Sequence, residues 1–182
     1  MKKQLLHIAY ITLGILIAAG TSAAVTGAAQ SAYPGDLLYP YKLAYVERIT
    51  YTLTPKAAQR DADFSALEER LTEALTLAKR GTLTTNEERV VLGAVDGHLS
   101  SILSYITQAE AAQQYADAAD TAAQLQTVLA TQNAKLTDAA TGASTNTQVT
   151  IEPLLLKIRL TEHTARSFSR KLATQALALK NK

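Results

Sequence analysis

The chain has no cysteine, and its 182 residues include only 4 prolines and 8 glycines. Without cysteine there is no disulfide, no thiol nucleophile, no thiolate metal site and no lipidated cysteine to serve as an anchor. A cell-envelope location remains open, because an exported domain large enough to hold a core needs no disulfide. Val/Ile-rich alternating runs are also missing, while Ala, Leu, Thr and Gln dominate, so an all-α domain is expected. The length and the 47% hydrophobic content suit one domain of ordinary size plus a short extra segment. Charge of one sign is scarce as well. The net charge of +2 is carried by Lys2 and Lys3, and from Tyr33 onward bases and acids balance. A strongly basic nucleic-acid binder has a different composition.

What is present begins with an uncharged apolar stretch. Residues 1–29 read as a signal peptide or a membrane anchor. Ile8 to Ala19 has the length of a signal h-region, with Gly27-Ala28-Ala29 a passable cleavage site, whereas Leu5 to Val25 is long enough to cross a bilayer as a helix. No site is cleanly Ala-x-Ala, which favours the uncleaved anchor. Either way Lys2 and Lys3 hold the N-terminus inside and place the rest outside the cytoplasm. Residues 30–39 form a juxtamembrane turn, and 40–182 an extracytoplasmic bundle of about five long helices.

The helices follow from their caps and periodicity. Pro40 opens the first, which runs to about Leu53. Thr54-Pro55 opens a second, with Pro55 in the first helical position, stopping at Gly81 and burying Phe64, Leu67, Leu71, Ala74 and Ala78. Thr85 with Glu88 makes a capping box for a third, whose buried face carries Val91, Val95, Leu99, Ile102, Ile106 and Ala109. From His98 to Thr141 nothing breaks the pattern, about 65 Å if it were a single helix, so a reversal is expected near Gln113 to Asp117. Thr141 to Thr147 reads as a loop. The last helix spans about Val149 to Leu179 with Ile151, Leu155, Ile158, Ala165, Leu172 and Leu179 inward, and Pro153 in its first turn. Asp96 to Asp138 is acidic and Lys157 to Lys182 basic, so the last helix is expected against the third and fourth.

The stretch Tyr33 to Lys42 is more specific than a helical pattern requires. Together with Glu69 to Ala74 it resembles a bacterial family of exported or membrane-anchored proteins known only as a domain of unknown function. The shared pattern is Pro-Gly-Asp-x-Leu-Tyr-Pro-x-Lys, then Thr-Pro, then Arg-Leu-x-Glu-Ala. It is carried by Pro34, Gly35, Asp36, Leu38, Tyr39, Pro40, Lys42, Thr54, Pro55, Arg70, Leu71, Glu73 and Ala74, about a quarter of the chain. Glu47 falls one position later than in the family pattern, leaving open which face of the first helix it occupies. The resemblance implies an extracytoplasmic helical domain behind a membrane segment. It implies no activity, though some relatives are similar to membrane-bound regulators of transcription factors.

Asp96, His98, Ser100 and Ser101 are the residue types of a hydrolase triad. Positions two apart on one helix diverge, however, and no oxyanion hole is evident, so no catalytic residue is assigned. His7, His98 and His163 have no ligand partner at helical spacing, so no metal is assigned; no cofactor is expected either. Gly93 and Gly97 suggest a close helix crossing or a kink. Tyr33, Tyr39, Tyr41, Tyr45 and Tyr51 read as an interfacial belt plus core packing, rather than a stacking surface for a glycan or peptide. Glu73 is expected to pair with Lys42 across the first two outer helices. The basic last helix has anionic lipid or polymer as a lesser possible partner.

These residues point to a non-enzymatic, membrane-tethered extracytoplasmic module with a structural, assembly or sensing role and a protein partner in the envelope. No nucleic-acid or small-molecule partner is evident. One alternative is a regulatory sensor; with only Met1 to about Gln4 inside, it signals through a partner membrane protein. Another is a hydrolase acting on envelope material, which paired carboxylates in a cleft would favour.

Overall fold

The computed structural model describes residues 25–180. The expected signal or anchor, with Lys2, Lys3 and His7, lies outside them up to residue 24. Every regular element among the described residues is helical, so the fold is all-α. They divide between Leu53 and Thr54 into two units. The first outer helix thus groups with the residues before it, not with the bundle that follows.

In the first unit residues 25–30 are helical, and a tight turn leads into α1. This helix begins as Tyr39–Tyr41, widens to π geometry over Lys42–Glu47 and returns to α geometry over Arg48–Leu53. Pro40 occupies its first turn, where a missing N–H costs nothing.

The second unit is a bundle of α2 (Lys56–Arg80), α3 (Thr85–Ala111), α4 (Tyr115–Thr141) and α5 (Thr145–Lys180). Connections this short make consecutive helices antiparallel neighbours. The most extensive interface joins α4 to α5; α2 packs on α3 and α4, and α3 on α4 and, less extensively, on α5. The core holds Phe64, Leu67, Leu71, Ala74 and Ala78 of α2 and Val91, Val95, Leu99, Ile102 and Ile106 of α3. It continues with Ala118, Ala122, Leu125, Leu129 and Leu136 of α4, then Ile151, Leu155, Ile158, Ala165 and Leu172 of α5. Each fully buried large aliphatic side chain contributes about 1.5–3 kcal/mol relative to leaving it in water. By length and composition α3 is apolar enough to cross a membrane. Its buried stripe identifies it as a core helix.

Several boundaries differ from those the sequence suggests. Pro55 is the N-cap of α2 rather than its first helical residue. The capping box of α3 is Thr84 with Glu87, one position earlier than Thr85 with Glu88: Glu87 N donates to Thr84 Oγ1 (3.3 Å) and Thr84 N to Glu87 Oε2 (2.7 Å). The last helix begins at Thr145, because Ser144 Oγ accepts from Thr147 N (3.4 Å) and caps a start that the Gly/Thr-rich composition hides. Pro153 consequently lies inside α5 instead of in its first turn. Leu179 is half exposed rather than core. Gly93 and Gly97 face solvent, and a methyl group at either would meet nothing within 4 Å, so they mediate no close crossing.

Candidate functional site

Of the residues singled out by sequence, seven build the joint ahead of the bundle. Tyr33 O accepts from Asp36 N (2.9 Å), with Pro34 and Gly35 at the two central positions and Gly35 at φ 97°. Proline followed by a left-handed glycine is the chemistry of a type II turn, and a side chain at Gly35 would be strained. Asp36 locks it a second time, Oδ2 accepting from Tyr33 N at 2.7 Å. Leu38 O then accepts from Lys42 N (2.9 Å) as α1 starts. Lys42 is 4% exposed and folds back over the turn: its ammonium donates to Ala32 O (3.4 Å) and lies 5.8 Å from the ring centroid of the buried Tyr39. The stretch is therefore clasped at both ends by its own side chains.

The tyrosines separate by environment. Tyr39 is buried, Tyr33 and Tyr41 are half-buried, and Tyr45 and Tyr51 are exposed. The rings of Tyr41 and Tyr45 stack with centroids 5.1 Å apart.

In the bundle, α2 buries a charged edge beside its apolar stripe. Asp63, Arg70 and Glu73 follow at seven- and three-residue spacing, which keeps them on one side of a helix. Arg70 is 0% exposed and Glu73 4%. Arg70 Nη1 meets Glu73 Oε2 at 2.7 Å and Nη2 meets Glu69 Oε1 at 2.9 Å. A guanidinium cannot shed its proton, so its burial requires such carboxylates. Lys42, the partner expected for Glu73, belongs to the other unit.

The triad-like residues do not converge. Asp96 pairs with Lys157 of α5 at 2.7 Å, while His98 Nδ1 lies 3.0 Å from Oδ1 of the buried Asp63 on α2. Asp63 therefore orients the imidazole; neither Ser100 nor Ser101 is hydrogen-bonded to it among the described residues. Asp63 escaped sequence reasoning because it adjoins Phe64 outside the apolar stripe; its heptad spacing from Arg70 was the available signal. Among the described residues no three His, Asp or Glu side chains are grouped to hold a metal.

Two open grooves flank the turn between α3 and α4. One, of about 440 Å³, is bordered by Lys56, Arg60, Tyr105 and Asp117. The other, of about 450 Å³, lies between Gln113–Asp117 and Ala176 with Leu179. Arg60 Nη1 bridges to Asp117 Oδ1 at 2.9 Å and so joins α2 to α4 at this end.

No family model, curated protein or solved structure matches the chain. The functional reading accordingly rests on the residues themselves.

Proposed function

We propose that the chain is a non-enzymatic helical module, tethered to a membrane by its N-terminal apolar stretch and working outside the cytoplasm as a structural, assembly or sensing element with a protein partner. The observation that carries this is the joint. A linker between an apolar leader and a folded bundle needs no particular structure, yet Tyr33 to Lys42 holds a doubly locked turn, a left-handed glycine and a buried lysine. Such construction suits a segment that fixes how a domain is presented at a bilayer. The resemblance of the same residues to membrane-anchored proteins supports the reading, as does the pairing of the buried Arg70 with Glu73 and of the buried Asp63 with His98.

The test uses the absence of native cysteine. Ser144→Cys puts a single thiol on an exposed turn at one end of the bundle. A membrane-impermeant maleimide is expected to label it in intact cells, and the protein is expected to stay with membranes through an alkaline carbonate wash. Labelling only after lysis refutes the topology. Release by carbonate refutes the tether.

A further inference from the structure

The outer surface of the bundle carries an ordered apolar stripe that its core does not use. On α5, Val149, Pro153, Leu156 and Leu160 recur at intervals of four, three and four residues, which at about 100° per residue confines them to an arc of about 60°. Val149 is 69% exposed, Leu156 53% and Leu160 60%, and Pro153 is exposed as well. The inward face of the same turns is filled separately by Ile151, Leu154, Leu155 and Ile158.

The stripe is palindromic. Val149 and Leu160 are equidistant from the midpoint between Leu154 and Leu155, and so are Pro153 and Leu156. A second copy of α5 running antiparallel across a two-fold axis at that midpoint brings Val149 level with Leu160 of the second copy, and Pro153 level with its Leu156. Self-complementarity of this kind is what a two-fold interface demands.

The flanks agree with the same pairing. Around such an axis each flank meets the identical flank of the other copy. Glu152 and Arg159 share one flank, 3.6 Å apart and both exposed. In the pair, Glu152 comes within about 3 Å along the axis of level with Arg159 of the second copy, so each carboxylate gains a guanidinium. On the other flank Lys157 keeps its bond to Asp96. Parallel pairing instead sets that flank against the opposite one and brings Arg159 within about 3 Å along the axis of level with Lys157 of the second copy, a like-charge contact. Beyond the stripe, Thr145 meets His163 on one flank and Asn146 meets Thr164 on the other, each within about 1.5 Å of level, a polar rim around an apolar centre.

We propose that this face of α5 is a self-association surface, pairing two copies of the chain antiparallel about a two-fold axis. Four side chains and a rim make a contact at the small end of specific interfaces, below about 1,200 Å² in total, so the pairing is reversible and concentration-dependent. It rests on α5 alone and stands whether or not the chain is tethered.

Single cysteines introduced into the full chain in non-ionic detergent test it. Leu156→Cys brings the two thiols within about 4.5 Å of each other along the axis, whereas Val149→Cys leaves them about 16 Å apart. Under mild oxidation, disulfide dimer is expected with Leu156→Cys and with Pro153→Cys. Little is expected with Val149→Cys or Leu160→Cys alone, and dimer should return when those two variants are mixed. Adding Leu156→Glu to Pro153→Cys is expected to abolish the dimer, with far-UV circular dichroism confirming an unchanged fold. Failure of both Leu156→Cys and Pro153→Cys to dimerise overturns the proposal. So does equally strong dimer with Val149→Cys alone, the mark of parallel or unspecific pairing.

Discussion

Thr84 and Glu87 satisfy each other at the start of α3, and Glu88, one position on, is turned inward. It is 6% exposed, and its Oε1 has no hydrogen-bond partner among the described residues. Burial raises its pKa above the usual carboxylate value, with Arg89 acting in the opposite sense. The folded state therefore binds this proton more tightly than the unfolded chain does. Its contribution is most favourable below the unfolded pKa, declines as pH rises through the interval up to the folded value, and is a constant penalty above it. Glu88→Gln is expected to melt above the wild type at pH 7, and the difference should vanish below the carboxylate range; thermal melts across pH check both. Arg70 is the opposite case, a permanent charge fully enclosed with its partners. Arg70→Ala leaves Glu73 buried without that guanidinium and should cost about 3–5 kcal/mol in urea denaturation. Substituting the half-exposed Glu69 with Gln should cost no more than about 1 kcal/mol.

The ends of α2 and α3 are closed by the same hydrogen bonds. Gly81 N donates to Ala78 O and Thr82 N to Leu77 O; Gln113 N donates to Glu110 O and Gln114 N to Ala109 O. Both are Schellman closures with a left-handed residue, at φ 68° for Gly81 and 60° for Gln113. Glycine adopts that conformation freely, whereas a side chain costs roughly 1–2 kcal/mol. Gln113→Gly is therefore expected to stabilise the bundle, by up to about 1 kcal/mol once the added freedom of the unfolded chain is deducted. A chemical-denaturation midpoint at or below that of the wild type contradicts it. The end of α2 was legible from Gly81, and the apolar stripes of α2 and α3 from their periodicity. The reversal at Gln113 followed only from length, since its left-handed residue has no sequence mark. The start of α5 was misplaced because Ser144 outweighs composition that otherwise favours a loop. On α2 the charged edge adjoins the apolar stripe, and periodicity alone does not say that both are buried.

At the scale of the bundle, two ion pairs record how the helices run. Lys157 meets Asp96 at 2.7 Å and Lys171 meets Glu110 at 2.6 Å, with the same number of residues between partners on α5 and on α3. The two helices are therefore parallel, as alternate members of an up-down-up-down bundle must be. This charge asymmetry was legible because it is summed over whole helices. The outward stripe of α5 was not, because the inward face, read from Ile151, Leu155, Ile158, Ala165 and Leu172, accounts for the helical period without it. Both ion pairs are partly exposed, so Asp96→Asn should cost at most about 1 kcal/mol. Leu129→Ala, in the α4–α5 core, should cost about 2–5 kcal/mol. A larger loss for Asp96→Asn than for Leu129→Ala in parallel denaturation curves would mean that charge, not packing, holds the bundle together.

The π turns over Lys42–Glu47 hold one residue more per hydrogen-bonded circuit than α turns do, which is the form a helix takes when a single residue is inserted into it. Deleting the exposed Ala44 is thus expected to convert α1 to continuous α-helix, with the melting temperature unchanged; loss of the cooperative melt would contradict this. On that outcome the segment is a spacer that takes a one-residue change in length while the turn before it keeps its shape.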